Sequence, residues 1–487
     1  MKKDKNAPLI VGSLRNQALK LGLTEEEADK DVKQVSITLY GAGTETAVHT
    51  LLMFFLAMIL YPEAQTKAQE EIDSVIGNGR LPTFEDQGRL RYVERLIQET
   101  LRWVPVVPLA IPHTCFRDDT YKGYYIPKGT IVMGNVWAMT RDETIYKSPE
   151  VFNPDRFLDP STPPAPTFGW GRRRCPGVHF ADASLFIFIT SILATFKIGV
   201  AQDENGKDIM PSRKMSNSLV LWKTITSGEI YRESVAINIH ITPALHWTMP
   251  DTPLLIGLTL ASSLLAYKLY KDTHENQLSL PPSPRSYPLI GHLLSIPTEF
   301  EHLGFMRLGE QLKSKIFSLT AFGTTIIVLN DRDDAVNLFD KRSGSYSDRT
   351  NSTMVQEPSL LNWPEFGSLI AYGDRWRRFR RLMNPLLTKQ VSATHQQLQE
   401  QAATKLLQRL LKGHKDIHNS HEVETELVLC IAATMFRSLY GYEVASSNDP
   451  LAERTQKAVS YLAHAVLSSN YLVNVAPVLR TKPDLLT

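Results

Sequence analysis

The sequence predicts a mainly α fold with small β-sheets, on three observations. Residues 1–220 read chiefly as helix, and so does the chain from about residue 330 to its end. Strand-like text is confined to two short stretches, Lys122–Val136 (KGYYIPKGTIVMGNV) and Lys315–Leu329 (KIFSLTAFGTTIIVL). Of 487 residues, 43% are hydrophobic and 21% charged, a globular balance that excludes a disordered or fibrous chain. Lys+Arg 53 against Asp+Glu 51 leaves a net charge of +2, so no basic field awaits nucleic acid. Three cysteines, Cys115, Cys175 and Cys430, are too few and too scattered for a disulfide scaffold or a zinc cluster, and they suit a reducing compartment.

In chain order, MKKDKNAPLI is basic but runs straight into polar text, so no secretory signal is expected. A long, mainly apolar helix is expected over Asp31–Leu60; its run Leu51–Leu60 is too short to span a bilayer and reads as buried helix. Residues 222–248 have neither period nor distinctive composition and read as a linker. Thr252–Tyr270 (TPLLIGLTLASSLLAYKLY) is long enough to cross a hydrocarbon core, with Lys268 and Lys271 favouring the cytoplasm for the residues after it. The proline-dense Pro281–Leu293 forbids helix and sheet interiors and makes a stiff connector. Within Lys315–Leu329, Gly323 marks a hairpin turn.

The most informative decapeptide is Phe168-Gly169-Trp170-Gly171-Arg172-Arg173-Arg174-Cys175-Pro176-Gly177. Its glycines permit tight turns around one cysteine and close backbone approach to a flat ligand. Free N–H groups can then point at the sulfur, and three adjacent arginines are expected to lower the thiol pKa. A thiolate held this way is a soft, electron-donating metal ligand. The alternative is a glycine-rich surface loop with a bystander cysteine.

This loop resembles the haem-binding signature of the cytochrome P-450 superfamily, whose cysteine thiolate is the axial ligand of haem iron. Other motifs extend the resemblance over nearly the whole chain. Glu99-Thr100-Leu101-Arg102 matches E-x-x-R, a pair on one helix face, and Pro154-Asp155-Arg156-Phe157 matches P-E-R-F with Asp for Glu. The resemblance implies a Glu99–Arg102–Arg156 network that pins the haem loop. Ala42-Gly43-Thr44-Glu45-Thr46 matches the acid–threonine helix, which implies that Glu45 and Thr46 relay protons to bound dioxygen. There Gly43 is expected to admit a planar group, and Thr46 to turn its hydroxyl on a preceding carbonyl and open the helix. A packed small-residue helix face is the alternative. Trp376-Arg377-Arg378-Phe379-Arg380 fits W-x-x-x-R, so Trp376 and Arg380 share a helix face and are implied to hold haem propionates, as is His113. Phe168, Gly169 and Arg173 are implied cofactor contacts beside Cys175.

The order of the motifs departs from the family. Residues 1–220 correspond to the family's carboxy-terminal half, 221–248 to a linker or unpatterned tail, 249–272 to its amino-terminal membrane anchor and 273–487 to its amino-terminal half. The halves are complementary, and part of the helices that roof the substrate pocket is missing between them. A circularly rearranged single domain and a joined product of two truncated neighbouring genes both account for this. If Pro253–Tyr270 spans a bilayer, Cys175 and Arg380 lie on opposite sides and never meet, so one fold requires an interfacial segment.

The resemblance implies a haem b enzyme that inserts one oxygen atom from O2 into an apolar small molecule, of the fungal microsomal type and its secondary metabolism. No G-x-G-x-x-G or G-x-x-x-x-G-K-[ST] occurs, so electrons are expected from a separate NADPH-dependent flavoprotein reductase. The expected location is the endoplasmic reticulum membrane, with the catalytic domain facing the cytosol. The rival is a catalytically silent, membrane-associated haem-binding protein or an unfolded fusion of two fragments; a thiol enzyme using Cys175 is a remote third.

Overall fold

A computed structural model describes residues 9–210 and 279–474, apart from positions 78, 203–204, 206, 289, 351, 413–419, 445, 447 and 467–471. The expected linker at 222–248 and the membrane-like segment at 252–270 lie outside the described residues. The first portion carries the helices α1 (Ile10–Lys20), α2 (Glu25–Leu60), α3 (Pro62–Val75), α4 (Arg91–Trp103), α5 (Val136–Met139) and α6 (Val178–Thr195). Its strands are β1 (His113–Thr114), β2 (Asp119–Tyr121), β3 (Tyr124–Ile126), β4 (Ile131–Gly134), β5 (Ala201–Gln202) and β6 (Asp208–Ile209). The second portion adds β7 (Ile316–Ala321), β8 (Thr324–Leu329) and β9 (Asp348–Arg349), with its longest helices at Gln396–Lys412, Ser420–Tyr440 and Pro450–Val466.

Helix α2 starts six residues before the expected Asp31. Thr24 accepts from the Glu27 N–H and the Glu27 carboxylate accepts from the Thr24 N–H, a reciprocal cap that satisfies the first-turn donors and extends the helix. The apolar run Leu51–Leu60 is its buried end. Helix α6 is apolar all round and enclosed, the pattern of a core helix. Both α2 and α6 are long and apolar enough to cross a membrane, yet 56% and 61% of their apolar windows are buried inside the fold. They form its centre: α6 packs on Gln396–Lys412, and α2 on Ser420–Tyr440.

The strand-like stretch Lys122–Val136 divides into two strands at Gly129, whose φ of +87° makes the bend, and Val136 already opens α5. Strands β7 and β8 form the expected hairpin, with Phe322 at φ 46° and Gly323 at φ 80°, the pair of left-handed residues that matches strand twist in a two-residue turn. The main sheet runs β7-β8-β4-β1-β9. Strand β4 pairs parallel with β8 (Val132 opposite Ile327), and β1 pairs antiparallel with β9 (His113 opposite Arg349). The first portion's β4 and β1 therefore lie between the second portion's β7–β8 hairpin and β9, and neither portion completes the sheet alone.

Candidate active site

Between Gly171 and Arg173 the cysteine loop forms a single 3-10 turn, closed where the Cys175 N–H donates to the Phe168 carbonyl at 2.9 Å. Gly169 (φ 71°) and Gly171 (φ 51°) supply the left-handed turns. A Cβ on Gly171 would lie 2.1 Å from the Phe339 carbonyl oxygen, so only glycine allows the second portion to approach this closely. Phe339 also packs against Trp170 at 5.3 Å between ring centroids and stacks on His113 at 4.2 Å. It belongs to a π-helical turn, Val336–Lys341, whose Asp340 carboxylate accepts from the Gly171 N–H.

The expectation that three arginines lower the Cys175 thiol is corrected. Burial outweighs every other influence and pushes the thiol up, against the opposing pull of the Gly177 N–H and the Arg380 and Arg174 charges. Arg173 faces elsewhere, donating to the carbonyls of Ser347 and Ile370 at 2.7 Å each and lying over the Trp376 ring at 4.8 Å. Arg172 bonds the Tyr372 hydroxyl. Arg380 instead reaches the loop from the Asp374–Met383 helix and donates to the carbonyls of Arg174 (2.6 Å) and Arg172 (3.2 Å). Its guanidinium lies 5.7 Å from the Trp376 ring, as their shared helix face requires.

His113 sits buried on β1 with Nδ1 2.6 Å from the Tyr346 carbonyl. Burial, with Arg349 and Arg173 nearby, holds its pKa far below the usual histidine range, so the ring is neutral. Arg349 is the functional candidate that sequence reasoning missed. It follows no periodic signal, and only the β1–β9 pairing sets it opposite His113. Burial, then repulsion from Arg173 and Arg380, lowers Arg349; burial, then repulsion from Arg380, lowers Arg173 to about 9; the Asp348 charge opposes both shifts, and burial lowers Arg380. Among the described residues none of these three guanidiniums has an ion-pair partner.

On α4, Glu99 and Arg102 are both fully buried. Arg102 grips the Glu99 carboxylate with two bonds (2.7 and 2.8 Å), and Arg156 Nε lies 3.0 Å from both carboxylate oxygens. The Asn153 N–H adds a third donor at 2.8 Å, and the excess guanidinium charge directs its remaining N–H groups to the carbonyls of Thr140 and Lys147. The E-x-x-R and P-D-R-F elements thus share one carboxylate.

On α2, Thr46 turns its hydroxyl to the Ala42 carbonyl at 2.7 Å, but the helix runs unbroken through residues 42–46, so the expected local opening is absent. The bond replaces no backbone partner and has no need to distort the turn. At Gly43 an added Cβ would stand 3.0 Å from the Met435 methyl, so the glycine lies against the end of a side chain from the Ser420–Tyr440 helix. Ala42 is the exposed position in this otherwise enclosed stretch. Burial raises Glu45 to about 7, so its carboxyl titrates at neutral pH.

A haem fits this donor set. Its two propionates would neutralise the Arg173, Arg349 and Arg380 nest, which has repulsion to relieve and no carboxylate paired to it. Cys175 retains partial exposure, so its sulfur could ligate the iron of a bound haem. Among the described residues no three His, Cys, Asp or Glu side chains gather as a metal site.

The chain is similar to known proteins. Cytochrome P450 monooxygenase claR of Ampulloclitocybe clavipes is 44% identical over 226 residues, 45% of this chain and 42% of its own length. Cytochrome P450 monooxygenase 98 of Postia placenta is 45% identical over 193 residues, 38% of this chain and 37% of its own. The chain spans about two fifths of the length of the curated relatives it matches. A solved zebra fish cytochrome P450 with abiraterone, 33% identical, aligns over 38% of this chain and 42% of its own at a TM-score of 0.35, too partial to bear on the whole fold. The family model described as Cytochrome P450 matches residues 3–224 and 281–486, in two separate segments. With a family match across both portions and a cysteine loop assembled from both, the chain belongs to the cytochrome P450 family, whose cofactor is haem b.

Proposed function

We propose that this chain is a haem-thiolate monooxygenase that inserts one oxygen atom from O2 into an apolar small molecule, in fungal secondary metabolism. The observation that carries the reading is the Cys175 loop gripped by Arg380 and flanked by an anion-seeking arginine nest. Haem, when bound, supplies the redox chemistry that activates dioxygen. Cys175 would ligate its iron, with the Gly177 N–H and Arg380 moderating the sulfur's charge; Phe168 and Gly169 shape the loop. Trp376, Arg380 and Arg173 would hold the propionates, joined by Arg349; His113, whose Nδ1–H is committed to the Tyr346 carbonyl, would join them only when a propionate charge restores a proton to Nε2. Glu45 holds a transferable proton at neutral pH, and the Thr46 hydroxyl, donating to Ala42, keeps its lone pairs free to accept one. Glu99, Arg102 and Arg156 act structurally, fixing the segment that leads into the loop. Val355, Phe366, Leu369 and Leu462 pack as a buried apolar cluster whose neighbours Trp363 and Gly367 bond α2 and brace the helix that carries Glu45 and Thr46.

The exposed Arg172, Arg174, Arg377 and Arg381 give the face outside the cysteine loop a positive character that suits an acidic NADPH-dependent flavoprotein reductase. We read residues 1–220 and 273–487 as complementary halves of one rearranged domain, joined by a 221–248 linker and the 249–272 segment. The pairing of β4 with β8 and β1 with β9 supports an interfacial rather than a spanning disposition for that segment, at the cytosolic face of the endoplasmic reticulum. The test is a carbon monoxide difference spectrum of the purified, reduced protein. A thiolate-type Soret band that Cys175→Ala abolishes supports the enzyme, and absence of haem supports the fused-fragment reading.

A further inference from the structure

One face of α2 carries Ser36, Tyr40 and Thr44, spaced four residues apart and at most 1% exposed. None of their hydroxyls makes a hydrogen bond of good geometry to the protein. This is not a habit of the helix. Thr38, Thr46 and Thr50 all donate to the carbonyl four residues back, at 2.7–2.8 Å. The row faces the Ser420–Tyr440 helix: Tyr40 packs on Phe436 with ring centroids 4.7 Å apart, and Ser36 lies against the Tyr440 phenol, which is 42% exposed. At its other end Thr44 adjoins Glu45, and Tyr40 senses both: the Thr44 hydroxyl draws the phenol's pKa down while the Glu45 charge pushes it up.

An unpartnered buried hydroxyl costs roughly 1–3 kcal/mol, so three in a row on one face are retained where water satisfies them. Tyr40 comes within reach of Thr44, and Tyr440 of Ser36, without a bond of good geometry, while the backbones of Ser36 and Tyr40 stand one turn, about 6 Å, apart. One water with two bonds of about 2.8 Å closes such a gap. We propose that ordered water fills the seam between α2 and the Ser420–Tyr440 helix, and that Tyr440, Ser36, Tyr40 and Thr44 line a proton path from solvent to the Glu45 carboxyl. Only protons move, hydroxyl to water to hydroxyl, and each donor is refilled from the side of Tyr440. The use of the delivered proton rests on the monooxygenase reading, but the path itself does not.

The experiment tracks the infrared carbonyl band of protonated Glu45 in the full chain at pH 6, assigned by its loss in Glu45→Gln, after transfer into deuterium oxide. Tyr40→Phe combined with Thr44→Val should slow deuteration of that band about tenfold or more, since each removed hydroxyl breaks the relay. Thermal stability should hold or rise, because the deleted groups make no bond of good geometry to the protein. Thr44→Ser should keep the rate of the unaltered chain, and Thr44→Val alone carries the test if the double variant does not fold. Deuteration at the unaltered rate in Thr44→Val or the double variant would overturn the path, as would absence of the Glu45 band at pH 6. Haem binding is not needed for this readout, so a failed carbon monoxide spectrum and a failed proton path are separate results.

Discussion

Two guanidiniums bound to one fully buried carboxylate make Glu99 the residue with most to lose from a neighbour's removal. Arg102→Ala would leave Glu99 short of two bonds and a buried charge poorly matched, a change that costs about 3–5 kcal/mol. Urea denaturation of the purified variant should show that loss, with Arg102→Lys recovering little because an ammonium cannot span both oxygens. Glu45 behaves oppositely, since nothing offsets its burial. Its pKa rises from 4.5 to about 7 on folding. Between those values the folded protein keeps a proton that the unfolded chain releases, so stability falls as pH rises through that window and is level above it. Glu45→Gln should flatten this slope and gain on the unaltered chain by on the order of 2 kcal/mol between pH 4.5 and 8, read from urea midpoints. The identities of both acids were legible in the sequence, from E-x-x-R and from the acid–threonine helix. The difference between them was not, because pairing and desolvation depend on what the rest of the chain brings into contact.

Among the elements, the cysteine loop depends most on backbone shape. Gly171 combines φ 51° with a would-be Cβ only 2.1 Å from the Phe339 carbonyl, whereas Gly169 at φ 71° faces open space. Gly171→Ala therefore meets backbone that has to move and should cost about 2–4 kcal/mol, while Gly169→Ala should cost about 1 kcal/mol from conformation alone. Calorimetric melting of the two variants separates these outcomes. The glycines were conspicuous as a motif, yet the sequence said nothing about which one abuts a neighbour. The same limit applies at Gly43, where the sequence did not announce the Met435 side chain packed against it. Helix α2 was located by its apolar run, whereas its start was set by Thr24 and Glu27, a signal present in the sequence but local to two polar residues.

For the whole molecule, the interleaving of portions is the dominant fact. Strand β4 lies between β8 and β1, and β1 lies between β4 and β9, so the first portion alone leaves two strands with both outer edges open. The contact continues through α2 on the Ser420–Tyr440 helix and α6 on Gln396–Lys412, both apolar. Cutting the chain at an engineered protease site within residues 211–278 should leave both pieces in one particle that elutes with the uncut protein, in low and high salt alike, because apolar burial is insensitive to screening. Separation of the pieces on size-exclusion chromatography would show that the connection, not the interface, holds them together. The sequence by itself determined the helix-rich class, the β7–β8 hairpin and its turn, the thiolate-loop motif and the Glu99–Arg102 pair, because each rests on spacing within a few residues. Only the tertiary structure decided that Arg349 stands beside His113, that Arg173 turns from the sulfur, that Met435 packs at Gly43 and that two portions build one sheet. These are contacts between residues far apart in sequence, fixed by packing and desolvation across the whole fold rather than by any local period.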